Sequence, residues 1–326
     1  MAGGEFELIR RHFTRAAPTG VLGVGDDCAL LPTSVGAMAI STDILLEGRH
    51  FFSDVGPESL GHKALAVNLS DLAAMGAEPS AFVLGLALPI IDDPWLAAFA
   101  RGMYALAERH GCPLIGGDTT RGQDGIVITI TIFGKVLPAQ ALYRSGARAG
   151  DDIWVSGLLG DADVALRLLQ DGAQPWVAAD QRAALLTATR PALEWPEPRV
   201  ALGLALRGLA TSAIDISDGL LQDLGHILHA STCGARLLAD TLPVSASVAA
   251  LPVELRRLAT LAGGDVYELC FTAPADRRDD ILAAAARAST PVTRVGVIEA
   301  AAGLRVLDAA GDALPPLSQG GFDHFA

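Results

Sequence analysis

HKALAVNLSDLAAMG, residues 62–76, is the stretch whose reading decides the fold. Leu60, Ala64, Val67, Leu72 and Met75 recur at roughly helical spacing, Pro57 and Glu58 supply a first-turn signal, and Gly76 followed by Pro79 gives the stop. The spacing predicts a helix. Asn68, Ser70 and Asp71 interrupt its apolar run, and a carboxylate removed from water is costly unless a cation or several donors sit on it. Two readings of Asp71 stand at this point: a surface-facing residue of an ordinary amphipathic helix, or a metal ligand. Its company along the chain bears on the choice.

Working outward toward the N-terminus, residues 37–40 read as a strand followed at once by Ser41-Thr42-Asp43. Two hydroxyls and a carboxylate are the hard oxygen ligands that magnesium takes, and equally the residues of a helix N-cap. Residues 20–31, GVLGVGDDCALL, read as a Gly-rich turn running into a strand, with Asp26 and Asp27 between them. Adjacent carboxylates repel unless they are spread apart or neutralised; an Asx-turn is the plain alternative. Arg49, His50 and Phe51 are placed to touch a phosphate or an aromatic substrate, or simply to pack. Residues 5–13 read as a short amphipathic helix.

Toward the C-terminus, a buried-strand run covers 81–88 and a second long helix covers 94–110, closed by Gly111. Leu114-Ile115 then leads into Gly116-Gly117-Asp118-Thr119-Thr120-Arg121-Gly122, again a strand, glycines, a carboxylate and hydroxyls. Residues 126–136 form the strongest strand signal, alternating and β-branched, and would serve as a pairing surface at a sheet edge. A Gly-, Arg- and Asp-rich connection at 143–152 marks a boundary, giving expected domains 1–143 and 144–326. Beyond it, a strand at 152–157 and helices at 161–169 and 198–210 precede SAIDISDG, 212–219, where a strand runs into a helix starting near Leu220. Asp215, Ser217 and Asp218 sit at that third junction. His226 and His229 lie three apart on the helix, but no Glu or Cys completes a zinc set, so surface or packing roles are expected. The remainder alternates helix and strand through Gly263-Gly264-Asp265-Val266-Tyr267-Glu268, and Phe322 and Phe325 near the end are expected to be docked.

Composition bounds the reading. The chain of 326 residues is 51% hydrophobic and only 19% charged, and no apolar run is long and clean enough for a membrane span. Its length suits two domains. The formal net charge of −13 argues against nucleic acid as a partner. The N-terminus lacks an export pattern and the 4 cysteines form no C-x-x-C pair, so a cytoplasmic location with reduced thiols is expected. Acidic strand-end clusters plus Asp71 point to a site for several cations, and phosphoryl transfer is the chemistry that needs them with little side-chain acid–base work. No P-loop, H-R-D or D-F-G motif is present, so a nucleotide would be held by another scaffold.

Gly23 to Asp27, Ser41-Thr42-Asp43, Asn68 to Gly76, Gly116 to Gly122, Arg144-Ser145-Gly146, Asp215 to Gly219 and the final Phe-Asp-His-Phe, in order over nearly the whole chain, closely resemble the thiamine-monophosphate kinase family. The resemblance implies a two-domain α/β (α+β) fold of the aminoimidazole ribonucleotide synthetase type, with N-terminal sheets joined in a homodimer. It also implies magnesium-dependent transfer of the γ-phosphoryl group of ATP to thiamine monophosphate. Matched motif by motif, Asp27, Ser41, Thr42, Asp43, Asp71, Asp118, Asp215 and Asp218 would be metal ligands. Gly117, Asp118, Arg144 and Ser217, with Tyr104, would contact ATP, and His50, Asp265 and Phe322 would lie around the thiamine moiety. Asp43, Asp118 and Arg144 would carry catalysis, Arg144 by stabilising transferred charge. The chain has Gly-Gly-Asp-Val-Tyr-Glu at 263–268 where the family usually reads Gly-Gly-Glu-Asp-Tyr-Glu, and Phe322 where Tyr or Trp is frequent. Two rivals are another ATP-dependent enzyme of the superfamily, of the selenophosphate or aminoimidazole ribonucleotide synthetase type, and a non-catalytic cation-binding assembly protein.

Overall fold

The computed structural model describes residues 9, 14, 16–170, 176–315, 317 and 321; Phe322, Phe325 and nearly all of the expected helix at 5–13 lie outside the described residues. The first sheet contains β1 (Ala29–Pro32), β2 (Ala37–Leu46), β3 (Glu78–Leu88), β4 (Leu114–Arg121) and β5 (Val127–Val136), in the order β1-β2-β5-β3-β4. The second contains β6 (Asp152–Ser156), β7 (Ser212–Asp215), β8 (Gly234–Leu238), β9 (Leu269–Ala273), β10 (Val292–Glu299) and β11 (Gly303–Leu307), in the order β11-β8-β10-β6-β9-β7. Helices α1 (Pro57–Ala74) and α2 (Asp93–Arg109) belong with the first sheet. With the second go α3 (Asp161–Leu169), α4 (Ala179–Glu194), α5 (Val200–Ala205), α6 (Leu220–Ser231), α7 (Ala246–Ala249), α8 (Val253–Leu261) and α9 (Arg278–Arg287).

Helix α1 has the ends its sequence predicts. Pro57 opens it, and Gly76 at φ +58 closes it in a left-handed turn in which the Gly76 N–H donates to Ala73 O (3.0 Å) and the Ala77 N–H to Leu72 O (2.7 Å). Its surroundings are those of a helix between layers, because every residue from 59 to 74 except Asp71 is buried. Leu65, Leu69 and Leu72 share one core with Ile128, Ile130 and Ile132 of β5 and with Ala213 and Phe271 of the second sheet. The helix that carries Asp71 is therefore also the element that both sheets pack on.

α2 lies against α1 at very close range. A Cβ on Gly61 would sit 2.0 Å from Phe99 O, and one on Gly102 would sit 1.8 Å from Glu58 O. Backbone cannot step aside as a side-chain tip can, so Gly102→Ala is expected to separate the helices and cost at least ~2 kcal/mol, or about 3 °C in melting temperature. A thermal melt of that variant indistinguishable from wild type would show that the two helices slide freely.

Four expectations are corrected here. The strand expected at 37–40 continues through Ser41, Thr42 and Asp43 to Leu46, because β5 pairs with it along the whole run from Ala37↔Val136 to Leu46↔Val127. The Gly116-Gly117-Asp118 segment is likewise inside β4, laddered to β3, and not in a turn beyond it. β5 itself is central, between β2 and β3, so it is not the pairing edge. Helix α4, with Pro191 in its last turn, has no counterpart in the sequence reading, and the helix expected at 198–210 shortens to Val200–Ala205 before Gly208 turns the chain at φ +72.

Candidate active site

Four carboxylates from separate elements converge near the C-terminal half of α1. Asp27 comes from the loop before β1, Asp43 from β2, Asp71 from α1 and Asp215 from the end of β7. One carboxylate oxygen from each of Asp27, Asp71 and Asp215 lies within 4.8 Å of the others. Asp43 is hydrogen-bonding distance from Asp71, and its Oδ2 is buried with no partner among the described residues.

Local geometry explains the convergence. Ser70 and Asp71 are consecutive on α1 and so project about 100° apart, one toward each sheet. The Ser70 hydroxyl donates to Asp215 Oδ2 at 2.7 Å, while Asp71 Oδ2 accepts from the Ser41 hydroxyl at 2.5 Å. Ser41 and Asp43 are two apart on β2 and share the face that looks at α1. A single guanidinium answers this negative charge. Arg144 donates through Nη2 to Asp27 Oδ1 (2.9 Å) and through Nε to Asp27 Oδ2 (3.3 Å), and its backbone N–H donates to Asp26 Oδ1 (3.0 Å).

Burial of so many like charges holds protons on them. Burial first, and then the neighbouring carboxylates, push Asp215 up to about 8 and Asp71 well above the usual carboxylate range. Burial raises Asp43 to about 6, and burial followed by the charge of Asp27 raises Asp26 to about 6. An all-oxygen donor set, an orphaned buried carboxylate oxygen and a surplus of negative charge fit hard divalent cations of the magnesium type. Asp71, the one residue of 59–74 that is not fully buried, faces Asp27 and Asp215 and not an open helix surface.

Asp118 stands apart within one chain. Asp43 opposes Ile130 on β5, whose row continues through Leu84 on β3 to Gly117 on β4. Asp118 is in the next row, with Gly85, Thr129 and Ile44, and alternation puts it on the sheet's outer face, exposed to solvent. Three strand spacings separate β4 from β2, roughly 14 Å. Thr42 shares that outer face, with its hydroxyl 2.8 Å from the Thr131 hydroxyl. Tyr104 is exposed on α2 and has no described contact with the carboxylates.

The other expected residues line a second side. Ser217 and Asp218 form the turn between β7 and α6, where Asp223 accepts the backbone N–H groups of Asp218 (3.1 Å) and Gly219 (3.0 Å), and Gln222 donates to Asp218 Oδ2 (3.0 Å). Asp265 is tied beneath that turn, its N–H donating to Ser217 O at 2.8 Å. His50 lies in the turn after β2, its Nδ1 accepting the Leu46 N–H at 2.9 Å. Burial, and then the charge of Arg144, lower His226 to about 4, which suits a packed neutral imidazole. Cys28, Cys112, Cys233 and Cys270 are all free thiols. The sequence reading passed over Lys63, which is buried and ion-paired to Asp265 at 2.8 Å. Its signal was present as a charge inside an apolar helix.

The arrangement is that of a two-domain α/β protein with an acidic seam between its sheets. Residues 25–136 match the AIR synthase related protein N-terminal domain and residues 148–309 the corresponding C-terminal domain, which defines the class. Thiamine-monophosphate kinase from Salmonella typhimurium is 43% identical over 332 residues, covering 100% of this chain and 99% of the relative, and that from Escherichia coli K12 is 44% identical over 333 residues with the same coverage. Among solved structures, thiamine-monophosphate kinase from Stenotrophomonas maltophilia is 46% identical with a TM-score of 0.79, covering 90% of this chain and 92% of that one. AaThiL complexed with AMPPCP and TMP is 28% identical with a TM-score of 0.81, covering 99% and 97%. The chain belongs to the thiamine-monophosphate kinase family. The hydrogenase maturation protein HypE of Escherichia coli, at 21% identity and a TM-score of 0.67, shares the fold.

Proposed function

We infer that the chain transfers the γ-phosphoryl group of ATP to thiamine monophosphate, giving thiamine diphosphate and ADP. The convergence of Asp27, Asp43, Asp71 and Asp215 is the observation that supports this reading most, together with family membership. Asp27, Asp43, Asp71, Asp215 and the Ser41 hydroxyl are the groups that would hold magnesium, with Asp218 and Thr42 at the margin. Bound magnesium supplies neutralisation of the phosphate oxygens and a template for in-line geometry.

The residues of the chain do the positioning. A phosphate oxygen of thiamine monophosphate forms the new bond to the γ-phosphorus as the bond to the β-bridging oxygen of ADP breaks. The attacking oxygen is already ionised, so no general base is needed. Arg144 has Nε and Nη2 committed to Asp27, which aims the guanidinium and leaves Nη1 for a phosphoryl oxygen. Gly117 and Ser217 are assigned to ATP, and His50 and Asp265 to the thiamine moiety. We place the division of labour at 143/144, where Arg144 leaves the first half to reach Asp26 and Asp27. A cytoplasmic location goes with this chemistry; among the described residues no helix is long and apolar enough to cross a membrane.

Asp118 joins the site through a homodimer. β1 pairs only with Ala37–Ile40, so the Ser41–Leu46 half of β2 is an open edge among the described residues, and β4 is the other. The outer face beside them is uncovered and apolar, with Ile44 55% and Leu46 39% exposed. Pairing each open β2 edge with the partner's β4, twice about a two-fold axis, closes a barrel and brings Asp118 of the partner subunit to the edge that carries Thr42 on the same face and Asp43 on the other. Asp43→Asn and Asp118→Asn, each inactive alone, are then expected to regain up to about a quarter of wild-type activity after subunit exchange, since half the dimers are mixed and one site in each is intact. No recovery on exchange would confine the site to one chain.

The activity is tested by incubating the protein with ATP, magnesium and thiamine monophosphate, thiamine or an aminoimidazole ribonucleotide precursor. Thiamine diphosphate formed from the monophosphate alone is the expected product. ATP turnover with the precursor and none with thiamine monophosphate would move the chain to another branch of the superfamily.

A further inference from the structure

We propose that Lys63 is a positioning residue for substrate: its ammonium holds one oxygen of the Asp265 carboxylate so that the other is presented to the thiamine moiety. The inference rests on the assignment of Asp265 to that moiety. Lys63 lies on α1, with its side chain 5% exposed, and its Nζ is 2.8 Å from Asp265 Oδ1. Burying an ammonium is costly unless a specific partner compensates, and the partner here comes from the other half of the molecule.

Asp265 is held from several directions. Its backbone is in the left-handed region at φ +59, as is Tyr267 at φ +55, and neither is a glycine. Such conformations persist where surrounding contacts over-determine them. The Asp265 N–H donates to Ser217 O (2.8 Å) and the Tyr267 N–H to Ile216 O (2.8 Å), so the loop is laced to the turn that follows β7. The Tyr267 hydroxyl donates to Asp265 Oδ1 at 3.0 Å, onto the same oxygen that Lys63 engages. Oδ1 is thus fully subscribed. Oδ2 has no described partner, and the side chain keeps 27% exposure.

The arrangement also accounts for the departure in the 263–268 segment. With Val at 266, the carboxylate at 265 is the one within reach of Lys63. A shorter Asp in place of the usual Glu has one fewer rotatable bond and is pinned at one oxygen, so it presents a fixed acceptor. The face of α1 that bears Lys63 also bears Ser70, seven residues on, whose hydroxyl orients Asp215. One helical stripe therefore sets a metal-side carboxylate and a substrate-side carboxylate relative to each other.

Steady-state kinetics of Lys63→Met, Lys63→Arg, Asp265→Asn and the Lys63→Met/Asp265→Asn pair test this, with melting temperatures recorded alongside. Lys63→Met is expected to raise the KM for thiamine monophosphate about tenfold or more while the KM for ATP stays within about twofold, and Lys63→Arg to recover most of the loss. The double variant is expected to match Asp265→Asn alone, because Lys63 acts only through that carboxylate. It also keeps the test alive if Lys63→Met fails to fold, since the neutral pair leaves no buried lone charge. An unchanged KM with a lowered melting temperature would make the ion pair a structural clamp and overturn the proposal. A double variant worse than Asp265→Asn by the full Lys63 factor would mean direct contact with substrate, and would overturn it as well. Absence of thiamine diphosphate from the wild-type protein would instead fail the reading of the function, with the Lys63 variants not yet entering.

Discussion

Asp43→Asn is expected to lower kcat by about a thousandfold or more and, in the absence of divalent cation, to raise the melting temperature. Both effects follow from one geometry. Asp43 is enclosed between β2 and α1, hydrogen-bonded to Asp71, with a buried Oδ2 that has no partner among the described residues. In the cation-free protein that oxygen adds repulsion to Asp71 and Asp215, and the guanidinium of Arg144 is committed to Asp27. An Asn of the same shape removes the charge and supplies an N–H for Asp71, so the fold gains. The same exchange removes a ligand where phosphate charge must be neutralised, so turnover is lost. Asp118→Asn, on the open β4 edge, is expected to lose turnover as well. Retention of activity in Asp43→Asn, or a large destabilisation of the cation-free variant, would make Asp43 a structural residue.

Much of the site was legible in the sequence, for a physical reason. Charged residues are rare in apolar helices and at strand ends unless something compensates them, so Asp71, Asp27 and Asp215 were visible as exceptions to their surroundings. The face of a strand was not legible in the same way. Asp43 and Asp118 follow similar strand signals, and only the ladder through β5 and β3 shows that they occupy adjacent rows on opposite faces. A one-residue difference in register decides that, and it is set by pairing partners remote in sequence. The extension of β2 past Ile40 has the same origin. Lys63 escaped because its partner lies two hundred residues away, in a loop whose left-handed residues carry no sequence mark. Helix α4 escaped because only Thr189 and Leu193 along it are fully buried, which leaves little periodic pattern to read.

Removing divalent cations is expected to make the protein less stable as pH rises, the reverse of the behaviour of a protein held by ordinary ion pairs. Carboxyl groups in the unfolded chain titrate near 3.9. In the cation-free fold Asp26 and Asp43 are raised to about 6 and Asp215 to about 8, with Asp71 also raised, because burial and mutual repulsion favour the protonated form. Between the unfolded and folded values the native state holds protons that the unfolded chain has released, so each step upward in pH favours unfolding. The loss begins near pH 4 and continues through about pH 8, as Asp215 ionises. For groups this enclosed the total is on the order of 5 kcal/mol, or roughly 7 °C between pH 5 and pH 8.5 in a chelator. Millimolar magnesium should reverse the sign: a cation that binds the ionised cluster stabilises the native state by mass action, most at the pH where the cation-free protein is weakest. Asp43→Asn should flatten the cation-free slope and diminish the magnesium response together, since one carboxylate accounts for part of each. Melting curves at the two pH values, with chelator and with magnesium, suffice to check this. A cation-free protein that melts higher at pH 8.5 than at pH 5 would mean that the four carboxylates are not gathered in solution as they are between α1 and the two sheets, and the site would have to be sought elsewhere.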